Sequence, residues 1–341
     1  MKRELGSLAT HRAYLGKPPK RGSVVPFPCR PSAVFATQVR GLAARLRAIG
    51  CRDVVLGLSG GLDSTLALLV ADAAFARLGY DKRGIHAYTM PGFGTSRRTK
   101  GNAELLCEGL GLKLEAISIA RSVRQHLKDI GHDGKTPDVT YENAQARMRT
   151  MILMDKANMT GGIVIGTGDL SEIALGWSTY NGDHMSMFAV NNNVPKTVVR
   201  KVCQWWANSR SSGGDAASPL ASRAVLDIIA TPVSPELVKG QVTEDKIGPY
   251  ELHDFFLWNF IMNEMGSKDL QRAAEAYFGG KRADVPPFER EVIVRTLETF
   301  MRRFFTQAFK RNCQPDGIRV FPFELSLRGW WIPSDLGVVR L

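Results

Sequence analysis

Apolar and polar positions along this chain change period several times, and the order of the changes predicts an α/β fold. From Ala33 the string AVFATQVRGLAARLRAI repeats apolar residues at three- and four-residue spacing, as a helix buried along one side requires. DVVLGL follows as a short, continuous, β-branched run, the pattern of a strand covered on both faces. A helix from Ser64, the strand IHAYTM, a helix from about Arg98 and the strand LKLEAISI repeat the alternation. A helical stretch from Tyr141 to Met159 then leads through Gly161 and Gly162 into the strand IVIGT, which ends at a second loop-to-helix junction, GDLSEIALG. After Pro195 the pattern is mostly helical. Strands separated by helices pair in parallel. The expected architecture is a Rossmann-like, doubly wound parallel sheet with a largely helical C-terminal part.

Interruptions of the pattern set the organisation. Residues 1–30 are basic and rich in proline, KPPKRGSVVPFPCRP included, and read as an arm or linker; residues 31–341 read as one domain. SRSSGGDAASP at 209–219 and GGKRADVPPFER at 279–290 read as loops, and no internal repeat or heptad is evident.

Composition narrows the partners. The 341 residues are 44% hydrophobic and 23% charged, near the averages of globular chains. A formal net charge of +12 favours ligands rich in phosphate or carboxylate. No apolar run approaches the roughly 18 residues of a membrane helix. The first residues also lack the apolar core of a secretory signal, so no membrane is expected and the cytoplasm is the expected compartment. The five cysteines, Cys29, Cys51, Cys107, Cys203 and Cys313, are odd in number and far apart, as free thiols are.

The junction VVLGLSGGLDSTLALLVA, Val54 to Ala71, carries the chemistry. In an open parallel sheet, ligands sit beyond the C-terminal strand ends, where helix N-termini present free N–H groups and partial positive charge. Ser59-Gly60-Gly61-Leu62-Asp63-Ser64 falls at such a point. The glycines allow positive φ and close approach to phosphate oxygens, Ser59 and Ser64 offer hydroxyls, and Asp63 suits a hard cation such as Mg²⁺. No lysine follows in Walker position and the spacing is not GxGxxG, so neither a P-loop kinase site nor a dinucleotide fingerprint fits.

SGGLDST resembles the pyrophosphate-binding loop of the ATP pyrophosphatases, which cleave ATP between the α and β phosphates to adenylate a substrate. The block IGTGDLSEIALGWSTYNGDHMSMFAVNNNVPKT, 165–197, resembles NAD(+) synthetase, in particular the synthetase domain of the glutamine-dependent form. MPGFGTSRRTKGNA, VTYENAQARMRT, VTEDKIGPYELHDFFL and KRNCQPDG extend the likeness from about Val25 to the C-terminus. The resemblance implies an adenine nucleotide alpha-hydrolase-like fold, ATP as co-substrate, and amidation of deamido-NAD by ammonia through an acyl-adenylate with release of AMP and pyrophosphate. It also implies a homodimer.

Residue roles follow from chemistry and resemblance together. Glu172, at a helix start after IVIGT, joins Asp63 as a Mg²⁺ ligand; a first-turn glutamate also suits the helix dipole without any metal. Thr167 matches an adenosine-side contact, and is equally an ordinary strand-end threonine. Asn143 and Arg147 match groups that contact deamido-NAD. Lys196 begins a helix, a poor place for a cation, which points to a compensating ligand phosphate or carboxylate; it is assigned to catalysis and to substrate binding. Asp183, in YNGDHMS, is a carboxylate able to take the proton that ammonium must lose, although Asn-Gly-Asp is also a common turn. Glu244 and Lys310 match a mobile-loop glutamate and a C-terminal lysine that approach substrate. Trp177, Trp205, Trp206, Trp330 and Trp331 read as core or interface aromatics.

Glutamine-dependent members carry an N-terminal glutaminase for which this chain has no room. Three cases follow: an ammonia-using enzyme, a subunit served by a separate glutaminase, or a fragment. Around Met187, MSMFAVNNN differs from the acidic string of the shorter ammonia-dependent enzymes. The competing readings are another ATP pyrophosphatase that modifies tRNA, and a non-catalytic nucleotide-binding subunit that docks a glutaminase. No aromatic-basic interleaving or CxxC pair supports nucleic-acid binding, and none is expected.

Overall fold

In the computed structural model, which describes residues 24–94, 97–211, 219–231, 243–280 and 285–326, five strands form one sheet in the order β3-β2-β1-β4-β5. They are β1 (Val54–Gly57), β2 (Ile85–Thr89), β3 (Leu114–Ala116), β4 (Ile163–Gly166) and β5 (Phe188–Ala189). Every neighbouring pair is parallel, with Val54 opposite both Ile85 and Ile163. β1 is therefore the centre, and its Val54, Val55 and Leu56 are wholly buried. The strand order reverses between β1 and β4, which opens a crevice at the C-terminal ends of those two strands.

Alternation along β1 divides the core. Val54 and Leu56 join the larger cluster beneath α1 (Pro31–Ala48) and α2 (Leu62–Leu78). Val55, with Tyr88 and Val164, faces Ala157 of α5 (Val139–Thr160) on the other side. α3 (Arg97–Leu110) and α4 (Ala120–Asp129) flank the sheet, and α6 (Leu170–Leu175) follows β4. Local chemistry fixes the ends. Asp138 accepts a hydrogen bond from the Tyr141 N–H to start α5, and Gly161, at φ 67°, ends it.

The C-terminal part is helical, as expected: α7 (Lys196–Ser211), α8 (Pro219–Ile229), α9 (Thr243–Ile247), α10 (Tyr250–Met262), α11 (Ser267–Phe278), α12 (Arg290–Thr306) and a 3₁₀ turn, Ala308–Cys313. Phe256, Phe300 and Phe304 are wholly buried between α10 and α12, and Phe255 is wholly buried against Tyr277 and Phe278 of α11. α10 is apolar on almost every side, as a central helix must be.

Three features differ from the sequence reading. β5 was not foreseen, because a two-residue strand leaves no period to detect; it pairs Ile165 with Phe188. β3 keeps only three residues of LKLEAISI. The segment read as an arm ends inside the core: Phe27 is 2% exposed, with Trp258 and Phe321 each 5.0 Å away between ring centroids. Residues 1–23 of that arm lie outside the described residues, as do Trp330 and Trp331. The five cysteines are free, and no helix among the described residues is long and apolar enough to cross a membrane.

Candidate active site

The crevice beyond β1 and β4 is a cavity of about 730 Å³, lined by Ser59–Ser64, Thr167, Glu172, Asn143, Asp183 and Lys310. Gly60 has φ 80°, a conformation that a side chain resists, and it turns the chain from β1 into α2. Gly61 caps α2 without any side-chain bond, so the first N–H groups of that helix have no capping side chain. The hydroxyls fold the loop upon itself. Gly61 N–H donates to Ser59 Oγ at 3.1 Å, Ser64 Oγ donates to the Gly61 carbonyl at 3.1 Å, and the two hydroxyl oxygens lie 3.2 Å apart. Asn191, wholly buried, ties the two strand ends together by donating to the Asp63 carbonyl at 2.9 Å and the Thr167 carbonyl at 3.1 Å.

Beside the crevice three carboxylates converge. Asp63 comes from the first turn of α2; Asp169 and Glu172 come from the start of α6, where Asp169 accepts from the Glu172 N–H at 2.9 Å. Oxygens of all three lie within 4.8 Å of one another. Lys196, the first residue of α7 and only 1% exposed, sends its ammonium among them, at 2.5 Å from Asp63 Oδ2, 2.6 Å from Asp169 Oδ2 and 3.0 Å from Glu172 Oε1. Burial opposes its charge, but Asp169, Asp63 and Glu172 more than offset that and hold it well above the usual lysine range. One ammonium cannot neutralise three carboxylates. Burial and mutual repulsion therefore push Asp63 up to about 7 and Glu172 well above its ordinary value, against the pull of Lys196. The dipole argument for Lys196 is thereby answered within the protein: its compensation comes from three carboxylates, and the residue does not line the cavity.

This donor set fits a hard divalent cation: oxygen ligands, a shared focus, and an Asp63 Oδ1 that is buried with no hydrogen-bond partner. Asp63 and Glu172 are the ligands the sequence picked out, and Asp169 stands beside them.

A second tier fixes this cluster. Asp254 of α10 is 1% exposed and accepts from the Ser171 hydroxyl, from the Thr197 N–H at 2.9 Å and from the Thr197 hydroxyl at 2.7 Å. Ser171 Oγ in turn accepts from the Lys196 N–H at 2.8 Å. One buried carboxylate thus joins the starts of α6 and α7. Burial raises it to about 7 although its hydrogen bonds pull the other way.

The far end of the cavity is built on residues 177–184. Asp183 Oδ1 accepts from the Thr179 N–H at 2.7 Å, which closes the turn of YNGDHMS, and the residue lines the cavity. Asp183 is an exposed residue at the cavity wall, and desolvation of its carboxyl there raises it above the ordinary carboxylate value. His184 Nδ1 donates to the Thr179 carbonyl at 2.9 Å, leaving Nε2 to face Cys313 Sγ at 3.1 Å. Lys310 donates to the carbonyls of Gly176 at 3.0 Å and Ser178 at 2.7 Å. Trp177 also lines the cavity, with the Arg303 guanidinium 4.9 Å from its ring centroid.

Asn143 reaches the cavity and accepts from the Thr179 hydroxyl at 2.8 Å. Besides Lys196, two expected residues do not line it. Arg147 points its guanidinium at the Tyr180 carbonyl, 3.3 Å away, whereas its neighbour Arg149 lines the cavity. Glu244 accepts from the Tyr250 N–H at 3.0 Å and so caps α10. Sequence reasoning missed Asp169, Asn191, Tyr250 and Asp254. Asp169 was within reach, since D-L-S-E is a capping pattern; the others offered no local signal.

A family model described as NAD synthase matches residues 34–277. A glutamine-dependent NAD(+) synthetase of Mycobacterium tuberculosis is 41% identical over 325 aligned positions, which cover 89% of this chain and 47% of that protein. The chain thus spans about half the length of the curated relatives it matches most closely here. The crystal structure of a glutamine-dependent NAD(+) synthetase from Cytophaga hutchinsonii is similar in fold, with TM-score 0.67 and 17% identity over 89% of this chain and 54% of that one. A glutamine-dependent NAD+ synthetase from Acinetobacter baumannii in complex with adenosine diphosphate gives TM-score 0.53 and 24% identity over 94% of this chain and 52% of that one.

Proposed function

The chain belongs to the NAD synthase family, and from that premise we propose that it converts deamido-NAD to NAD with ATP and ammonia. The observation that carries the proposal is the meeting of Asp63 and Glu172, from the ends of two different strands, at one cavity floored by the Ser59–Ser64 loop.

In this reading the loop N–H groups and the Ser59 and Ser64 hydroxyls hold the β and γ phosphates, and Thr167 lies on the adenosine side. Asp63 and Glu172, with Asp169 adjacent, hold Mg²⁺, whose contribution is to draw charge from the phosphate oxygens. An oxygen of the nicotinate carboxylate attacks the α phosphorus, and the α–β bridging bond breaks to release pyrophosphate. Ammonia then attacks the carbonyl carbon and AMP leaves. Asp183 takes the proton that the nitrogen sheds, a role supported by its place on the cavity wall and its raised carboxyl. Asn143 and Lys310, both on the cavity wall, orient the dinucleotide; Arg147 and Glu244 enter this scheme only through movement or a second copy of the chain.

A homodimer belongs to the same proposal. Met151 and Met159 of α5, about two turns apart, stand 52% and 77% exposed and offer apolar surface to a second copy. The direct test mixes chain, ATP, Mg²⁺ and deamido-NAD with either ammonium or glutamine. NAD, AMP and pyrophosphate with ammonium are the expected products, and glutamine should serve only once a separate glutaminase is added. Release of ADP, or failure to form NAD with ammonium, would refute the assignment.

A further inference from the structure

We infer that the Lys196 ammonium is a resident counter-ion which occupies the divalent-cation position of the Asp63, Asp169 and Glu172 cluster and gives it up only to nucleotide phosphates, so that metal binding by this chain depends on nucleotide. The inference rests on the proposed function only in taking the cluster as a metal site; the role of Lys196 as an occupant is argued from geometry.

The ammonium lies 2.5, 2.6 and 3.0 Å from one oxygen of each carboxylate, and the three residues each bring an oxygen within 4.8 Å of the others. A cation bound by the same three oxygens would have to stand where Nζ now stands. Two positive centres cannot share that space, so lysine and metal exclude each other there. The remaining side is closed by the Tyr250 ring, whose centroid is 5.3 Å from Nζ. With Lys196 at 1% exposure, water has little room to replace either partner.

Two buried atoms mark this arrangement as a resting state. Asp63 Oδ1 has no hydrogen-bond partner, nor has the phenolic oxygen of Tyr250, a residue 2% exposed. An unpaired acceptor and an unpaired donor beside the same cluster fit a site that rearranges when its ligands arrive. The elements holding the carboxylates are fixed: Asp169 caps α6, Glu172 sits in its first turn, and Asp63 starts α2. Lys196 differs, because its backbone is anchored through Ser171 while its charge rides on four rotatable methylenes.

The energetics give the direction of the coupling. A divalent ion arriving alone would strand a buried ammonium without a counter-charge, which is strongly unfavourable. Triphosphate in the neighbouring cavity offers the displaced ammonium a new anion, and Asp63 borders both places. Metal and nucleotide therefore promote one another's binding, as linkage requires.

Mn²⁺ serves as the probe, titrated into nucleotide-free protein and followed by calorimetry and thermal unfolding. The wild-type chain should bind it weakly and show no shift in melting temperature. Lys196→Met and Lys196→Gln, which remove the charge and keep the length, should bind Mn²⁺ about tenfold tighter or more and gain thermal stability with it. Should either variant fail to fold alone, recovery of folding with Mn²⁺ but not with K⁺ supports the inference. Wild-type affinity equal to that of the variants, or unfolded variants that Mn²⁺ does not restore, overturns it. Neither deamido-NAD nor turnover enters this measurement, so a failure of NAD formation and a failure of lysine exchange are read separately.

Discussion

Lys196 Nζ and Asp63 Oδ2 lie 2.5 Å apart although 133 residues separate them in sequence. Both belong to the first turn of a helix, and both helices begin at the crevice where the strand order reverses. Helix N-termini favour the carboxylate and disfavour the ammonium, so the lysine is held by its three acidic partners and not by its own helix.

Replacing Asp63 separates metal binding from folding. Asp63→Asn keeps the shape and removes one charge from a cluster whose burial already pushes that carboxyl up to about 7. Asp169 and Glu172 still pair with Lys196. Turnover should fall about 100-fold or more, as loss of a metal-site group does. Because those two carboxylates still compensate the buried ammonium, unfolding stability should fall by less than the roughly 3 kcal/mol that an unpaired buried charge costs. Steady-state kinetics at saturating Mg²⁺ alongside urea denaturation checks both; unchanged turnover would remove Asp63 from the site.

Asp254 makes stability depend on pH. Its folded carboxyl stands at about 7, against an ordinary 3.8, because of burial. Between those values the folded state holds a proton that the unfolded chain has lost, so this group's contribution falls as pH rises from about 4 to about 7. Asp254→Asn should remove that slope. It should also cost about 1–3 kcal/mol, because an amide cannot accept from both Thr197 and Ser171 in the same pose. Urea unfolding at several pH values, comparing the two proteins, reads both effects.

Gly60 is a backbone test of the phosphate loop. At φ 80° an alanine pays about 1–2 kcal/mol in strain, and its methyl group would stiffen the turn that aims the loop N–H groups. Gly60→Ala should raise KM for ATP about tenfold while the helices, read by circular dichroism, persist. An unaltered KM would mean that this turn does not meet the nucleotide.

Cys313 should be a slow thiol. Burial raises its pKa, and its S–H has two acceptors in reach, the Lys310 carbonyl at 3.4 Å and, because His184 Nδ1 donates to the Thr179 carbonyl, the Nε2 lone pair at 3.1 Å. A thiol in that state is not a nucleophile. Alkylation by iodoacetamide at neutral pH should run about tenfold slower than for free cysteine. A faster reaction would reveal a thiolate-imidazolium pair and reverse the hydrogen-bond assignment.

The parallel sheet was legible because β1, β2 and β4 are buried on both faces and their sequences are correspondingly apolar, each followed by a helix with regular spacing. The glycine-rich loop was legible for a related reason. Two glycines, flanking hydroxyls and an acid between a strand and a helix form a local pattern, and local patterns survive in one dimension. Ser59, Asp63, Ser64, Thr167, Glu172, Asp183, Asn143 and Lys310 do gather around one cavity. Arg147 and Glu244, matched by likeness of strings, stand off the cavity wall. A helix rotates by about 100° per residue, so the arginine on the cavity wall is Arg149, two positions on, and Glu244 is occupied by the start of the next helix.

Sequence by itself determined the order of elements, the loop that can cradle phosphate and the acids able to accompany it, since these depend on residues close together in the chain. Only tertiary structure decided what Lys196 does. Its three carboxylates, the Asp254 brace beneath it and the Tyr250 ring across it come from helices brought together by packing, and an ammonium surrounded by buried acids answers to those neighbours before it answers to its place in the chain.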